Sequence, residues 1–212
     1  MRAESDDSGA VELRVALPPG RVDLAGATVR LTALDPRRHA EDLFAPTHGD
    51  AAREGVWTFM SYGPFVDQPA MSEWMSRCAA SRDPLFVAVT DRDSGRAVGM
   101  TSYLNVRPTM GVLEIGHIWY LPAVQRTRVN TESCWLLIRH AFESLGYRRI
   151  EWKCDARNER SRVAALRLGF TFEGIFRQHM IVKGRNRDTA WFAMLDSEWP
   201  DRRRRLEELL AA

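Results

Sequence analysis

The chain lacks the features that would mark a disulfide-stapled, zinc-bound or membrane-embedded protein. It holds only three cysteines, Cys78, Cys134 and Cys154. They are odd in number and far apart, with no CxxC pair and no His–Cys spacing suited to zinc. The expectation is therefore three buried thiols in a reducing compartment and no metal. No run of about 18 apolar residues occurs, so no membrane-spanning helix is expected. Met1 to Gly9 is acidic and polar and lacks the basic-then-apolar order of a secretory leader. A cytoplasmic location is the expectation. An excess of one charge is also missing. Thirty Lys and Arg stand against 28 Asp and Glu, for a net charge of +2, and nothing in that balance calls for a nucleic-acid partner. Internal repeats and low-complexity segments are absent.

What is present fits a soluble globular domain: 45% hydrophobic and 27% charged residues. A chain of 212 residues is long enough to bury one sizeable core. Residues 1–10 are expected to be a disordered tail and residues 11–212 a single domain. Arginine dominates the positive charge, and the run Arg202 to Arg205 reads as the solvated face of a closing helix, Arg202 to Leu210.

Periodicity places the elements. Val11 to Val15 alternates weakly and is broken by Pro18-Pro19-Gly20, while Ala27 to Leu34 alternates better and reads as a first strand. Asp35-Pro36 starts a helix that stops near Pro46. Met71, Trp74, Met75 and Cys78 form one stripe of an amphipathic helix, read as core. Leu85 to Val89 and Ala97 to Leu104 are strands joined by a polar loop containing Gly95. After a turn at Arg107 to Gly111, a third antiparallel strand runs from Leu113 to Tyr120. Thr131 to Leu145 is a helix with Leu136, Leu137, Phe142 and Leu145 on its apolar face, and Gly146 ends it in a left-handed cap. Arg149 to Cys154 follows as a strand parallel to the preceding one. Asn158 caps a second helix carrying Val163, Ala164, Leu166 and Leu168, which stops at Gly169. Thr171 to Val182 and Thr189 to Leu195 form a last strand pair around Lys183 to Asp188.

The region Leu113 to Phe170 therefore holds two strand-to-helix junctions in succession. A helix that begins directly after a strand leaves free backbone N–H groups at its start. Together with the helix dipole they favour an anion such as a pyrophosphate. The loop Gln125-Arg126-Thr127-Arg128-Val129-Asn130, running into Thr131-Glu132, is the first such site, and a phosphorylated cofactor is expected there. An aromatic segment, Trp57, Phe59, Tyr62 and Phe65 around Gly63-Pro64, is either a core plug or one wall of a pocket.

In this order the motifs resemble the GCN5-related N-acetyltransferases (GNATs), most closely a RimJ/RimL-like subgroup. The matching residues are Glu114-Ile115-Gly116, Thr131-Glu132, Asn158, Ser161, Leu168-Gly169-Phe170 and Glu173-Gly174, and the resemblance covers about Ala27 to Leu195. It implies a mixed α/β (α+β) fold: a central, mostly antiparallel twisted sheet with one splayed parallel pair, flanked by helices. It also implies direct transfer of an acetyl group from acetyl-CoA to an amine, either a protein N-terminus or a small molecule. On that reading the acetyl-pantetheine arm adds along Ile118, Trp119 and Tyr120. The pyrophosphate lies over Gln125, Arg126, Thr127, Arg128, Val129, Asn130 and Thr131, and Asn158 and Ser161 reach the arm. Glu114 is the candidate base and His117 its rival. Trp57, Phe59 and Tyr62 are candidates for the acceptor pocket. Cys134 is not expected to act as a nucleophile.

Three positions depart from the family pattern. Arg128 and Asn130 stand where the family has small residues. Asn130 can cap the helix, and Arg128 either neutralises phosphate or blocks the site. Ala165 stands where many members carry a tyrosine that protonates the leaving thiolate. The other functions left open are a non-catalytic acyl-CoA-binding protein of the same fold and an interaction module using the Arg-rich C-terminus. A homodimer also stays open.

Overall fold

In a computed structural model, residues 15–211 are described. The acidic N-terminal segment, and all but Val15 of the weak Val11 to Val15 alternation, lie outside them. Eight strands form one sheet in the order β1-β2-β3-β4-β5-β6-β8-β7. The single strand expected at Ala27 to Leu34 is two, β1 (Asp23–Ala25) and β2 (Val29–Ala33). They form a short hairpin at the sheet edge. Its turn is tied down from a distance by the Glu132 carboxylate, which accepts from the backbone of Ala27, Thr28 and Val29 and from the Thr28 hydroxyl.

Helix α1 (Pro36–Phe44) starts as expected, with Asp35 accepting from Arg37 N and proline at the first helical position. A short α2 (Ala51–Glu54) precedes the aromatic segment. In α3 (Gln68–Ala80), Met71, Met75 and Cys78 are buried. Strands β3 (Leu85–Asp91) and β4 (Ala97–Arg107) run two or three residues further than their alternation alone indicates. Strand β5 (Val112–Tyr120) pairs antiparallel with β4.

Helix α4 (Arg128–Arg139) begins three residues before Thr131, because Thr127 and not Asn130 is its cap. Thr127 is extended, and its hydroxyl accepts from Val129 N at 3.3 Å. The helix continues as a π turn, His140–Ser144, and ends at Gly146 with φ +75°. Strand β6 (Arg149–Asp155) leads through the Asn158 cap into α5 (Glu159–Arg167). On α5, Val163 and Leu166 face solvent. Ala165, with Leu168 just beyond the helix, makes the buried contacts instead.

Strands β7 (Thr171–Val182) and β8 (Arg185–Leu195) form a longer hairpin than expected. Lys183 and Gly184 both adopt positive φ, which closes a two-residue turn and lets pairing run to Val182↔Arg185. Helix α6 (Trp199–Ala211) carries the arginine run. Arg203 and Arg204 lie on its surface and pair with Glu143, Glu207 and Asp201.

Two features of β5 position the site. Strands β5 and β6 pair in parallel over only three positions, the last being Glu114↔Glu151. Beyond that point they part. On the other edge of β5, Met100 faces Trp119 and Ser102 faces Gly116. One residue of β4 thus opposes two of β5, and His117 sits in the bulge with φ +53°. A bulge bends its strand and raises the local twist, which turns the end of β5 away from β6.

Candidate active site

A cleft of about 810 Å³ opens where β5 and β6 diverge, with Phe59 to Ser61 on one side and the β7–β8 hairpin on another. At its floor, alternation puts Glu114 of β5 on the same face as Glu151 and Lys153 of β6. Glu114 is 5% exposed. Its Oε2 accepts from Asn105 Nδ2 at 2.6 Å and lies 2.8 Å from Lys153 Nζ. The same ammonium is 2.9 Å from Glu151 Oε2 and sits 4.0 Å from the centre of the Trp191 ring, on the residue paired with it across β8. Burial raises the Glu114 pKa, and Lys153 and Asn105 oppose that rise. At Glu151 burial also raises the pKa, but hydrogen bonds from Lys153 and Arg149 outweigh it and hold the carboxyl below its usual range. One half-buried cation thus serves two carboxylates, and Glu114 Oε1 has no hydrogen-bond partner among the described residues.

His117 lines the same cleft. Burial lowers its pKa to about 4, so the ring is neutral near pH 7. Its Nδ1 is 3.3 Å from the Tyr62 hydroxyl and the two rings stack. Lys153 and Lys183 are the only lysines in the chain. Lys183, at the tip of the β7–β8 hairpin, donates to the carbonyls of Gly63 (2.7 Å) and Trp57 (3.0 Å). The hairpin is thereby fastened to the aromatic segment.

The loop after β5 is built from local bonds. Gln125 Nε2 donates to Tyr120 O at 3.1 Å, and the Thr127 hydroxyl donates to Val124 O at 2.7 Å. Arg126 adopts positive φ, and the side chains of Arg126 and Arg128 are exposed. Val129 is buried. Arg167 of α5 donates to Asn130 Oδ1 at 2.7 Å and to the Thr131 hydroxyl. The first turn of α4 is therefore braced from the neighbouring helix, and its leading N–H groups have no helical acceptor of their own.

The cleft brings together Glu114, His117, Ile118, Phe59, Asn158 and Ser161. Asn158 Oδ1 accepts from Ser161 N at 3.2 Å, and Ser161 Oγ accepts from Trp152 Nε1 at 3.0 Å. The other residues singled out in the sequence lie outside its walls. Trp57 is a core plug, 1% exposed, with its ring 4.8 Å from that of Trp119. Tyr62 packs on Trp74 and His117, and reaches the cleft only through His117. The Trp119 and Tyr120 side chains are buried in the core. Gln125 to Thr131 form a separate ledge at the start of α4. Asn105, Lys153, Trp191 and Arg187 were not singled out in the sequence. The signal for Lys153 was there: one of two lysines in an arginine-dominated chain, two residues after Glu151 on an alternating strand. Among the described residues, no cluster of three or more His, Cys, Asp or Glu is arranged to hold a metal ion, and no helix is long and apolar enough to cross a membrane.

The description of an acetyltransferase (GNAT) domain matches residues 29–171. The chain belongs to the GNAT acetyltransferase family. Within it the chain falls in the RimJ/RimL-like subgroup. It is 32% identical over 176 residues to a Bacillus subtilis (strain 168) protein named "Putative ribosomal N-acetyltransferase YdaF", covering 81% of this chain and 92% of that one. A GCN5-related N-acetyltransferase from Brucella melitensis has a crystal structure that matches with a TM-score of 0.87 at 42% identity, over 91% of this chain and 87% of that one. A GNAT-family structure from Chromobacterium violaceum ATCC 12472 matches at 0.81 and 43%, over 88% and 92%. As a family member, this GNAT chain has the fold and the general chemistry of an acetyltransferase.

Proposed function

We propose that the protein transfers the acetyl group of acetyl-CoA directly to a primary amine in the β5–β6 cleft, with Glu114 as general base. The observation that carries this reading is one carboxylate, with one oxygen unpartnered, at the point where the parallel strands part.

The residues present suit the co-substrate. The exposed Arg126 and Arg128 and the free N–H groups at the start of α4 would hold its pyrophosphate. The β5 edge from Ile115 to Ile118, released from β6, offers backbone groups to a pantetheine amide in the manner of an added strand. Acetyl-CoA supplies the activated acyl group. The chain's own part is to place and deprotonate the amine. An alkyl ammonium gives its proton to Glu114 Oε1, while Lys153 and Asn105 hold Oε2 in place. The neutral nitrogen then forms its bond to the thioester carbon as the C–S bond breaks, and the second proton shed by that nitrogen passes to the departing thiolate. A carboxylate whose pKa is raised by burial is a better base near neutral pH than an exposed one. The thiol of the leaving group has a pKa of about 8.5, so a thiolate can depart without a side chain at Ala165, which is buried in the core. His117, neutral near pH 7 and tied to Tyr62, orients the bulge beside the acetyl group.

The test is amine-dependent thiol release by the wild type and Glu114→Gln across pH. The expected loss is roughly 10²–10⁴-fold near neutral pH, shrinking at high pH where the amine deprotonates unaided, with acetyl-CoA affinity little changed. Wild-type turnover in Glu114→Gln would remove Glu114 from the mechanism.

A further inference from the structure

The cleft carries one charge that nothing among the described residues answers. Arg187 of β8 lines it, and its buried Nε has no hydrogen-bond acceptor. No carboxylate among the described residues lies within ion-pair distance of its guanidinium. The neighbouring charges are all matched. Glu114 has Lys153 at 2.8 Å. Asp155 is held by Arg157 through Nε (3.0 Å) and NH2 (2.7 Å). Arg107 reaches Glu151 at 3.6 Å. Asp83 accepts from the backbone N–H groups of Asn105 and Val106, at 2.9 and 3.0 Å. A partly buried guanidinium without an acceptor is costly to keep. Its planar fork of donors fits one kind of ligand, an oxyanion bound through two parallel bonds.

The topology says which ligand can bring that oxyanion. Lys153 pairs with Trp191 and Asp155 with Thr189, so Arg187, two residues further along β8, alternates onto the face that carries Glu114 and Lys153. It belongs to the hairpin that Lys183 fastens to the aromatic segment, on the wall across the cleft from β5. The exposed arginines of the start of α4, by contrast, lie outside the cleft altogether.

We propose that Arg187 is a specificity-determining residue that binds a carboxylate or phosphate carried by the acceptor amine. The oxyanion stands many bonds from the amine, since Arg187 lies six residues along β8 from Ala193, the residue opposite Glu151, about 20 Å along the strand. This inference rests on the acetyl-transfer reading for the position of the amine, but its central test reads binding alone.

Wild type, Arg187→Gln and Arg187→Lys are titrated, with and without saturating CoA, with ω-amino carboxylates, ω-aminoalkyl phosphates and plain alkylamines of matched length. The wild type is expected to bind one of the anionic series about ten- to a hundred-fold more tightly than the matched alkylamine, the range of a charge-assisted contact. Whichever series shows this identifies the oxyanion. Arg187→Gln loses that preference, Arg187→Lys keeps part of it, and alkylamine and CoA affinities stay the same in all three. The proposal is overturned if anionic and neutral amines rank alike in the wild type, if the preference survives Arg187→Gln in a protein that melts normally, or if CoA affinity falls with the substitution. The same panel in a thiol-release assay separates the two readings. Arg187-dependent binding without release sinks acetyl transfer and leaves the anion site standing. Release on neutral amines alone, indifferent to Arg187, does the opposite.

Discussion

At the scale of single residues, the cleft holds groups whose charge is set by burial, and their behaviour with pH follows. His117 has a folded-state pKa of about 4 against 6.5 for a free imidazole. Below about pH 6.5 the unfolded chain takes up a proton that the folded chain refuses until about pH 4. The stability this residue contributes is therefore present above pH 6.5 and lost as pH falls through that window, to a total of up to about 3 kcal/mol. In His117→Asn, which keeps a side chain tolerant of positive φ, urea unfolding between pH 7 and about pH 4.5 should show a smaller acid loss than in the wild type. An equal loss would mean that the ring is protonated while folded. Arg128 is a second case. Its side chain is exposed at the first turn of α4, not folded into the cleft. Arg128→Gly is expected to weaken acetyl-CoA binding by about 1.5 kcal/mol, roughly ten-fold, as one charge-assisted phosphate contact is lost. Tighter binding in a calorimetric titration would show instead that Arg128 obstructs the phosphate site.

At the scale of elements, the hairpin latch and the strand splay shape the cleft together. Lys183→Met removes two hydrogen bonds to the aromatic segment, about 1 kcal/mol for a surface group. Faster amide exchange along Arg177 to Asp188 and a raised acceptor KM are expected, with acetyl-CoA affinity unchanged. A shift in acetyl-CoA affinity alone would place the latch on the wrong side of the site. The elements themselves were legible in the sequence wherever one period ran long enough. The α3 stripe, the β3–β4 hairpin and the glycine ends of the two helices after β5 and β6 stand where alternation or capping residues put them. What was not legible depended on distant partners. Thr127 caps α4 because Asn130 is engaged by Arg167, 37 positions away in sequence. Glu132, one half of a family motif, proves to be the anchor of the β1–β2 turn. The site was visible in its β5 half, where Glu114 and His117 share a short segment. Its other half, Lys153, Trp191 and Arg187, comes from strands that only the pairing β5–β6–β8 brings alongside, and no local pattern reports that adjacency.

At the scale of the whole molecule, one open sheet of eight strands is interrupted where β5 and β6 part beyond Glu114 and Glu151. The proposed reaction places a thioester arm and an amine in that gap, over Glu114. In that reaction the two meet there and the acetyl group changes hands. The most direct measurement is thiol release from acetyl-CoA by the purified wild type, with and without an amine panel that includes peptide N-termini, polyamines and ω-amino acids. Release that requires the amine and saturates with it, with the acetylated amine as product, is the expected result. Acetyl-CoA that binds in the cleft but releases no thiol to any amine in the panel would contradict the claim, and would leave a GNAT fold that holds an acyl-CoA without catalysis.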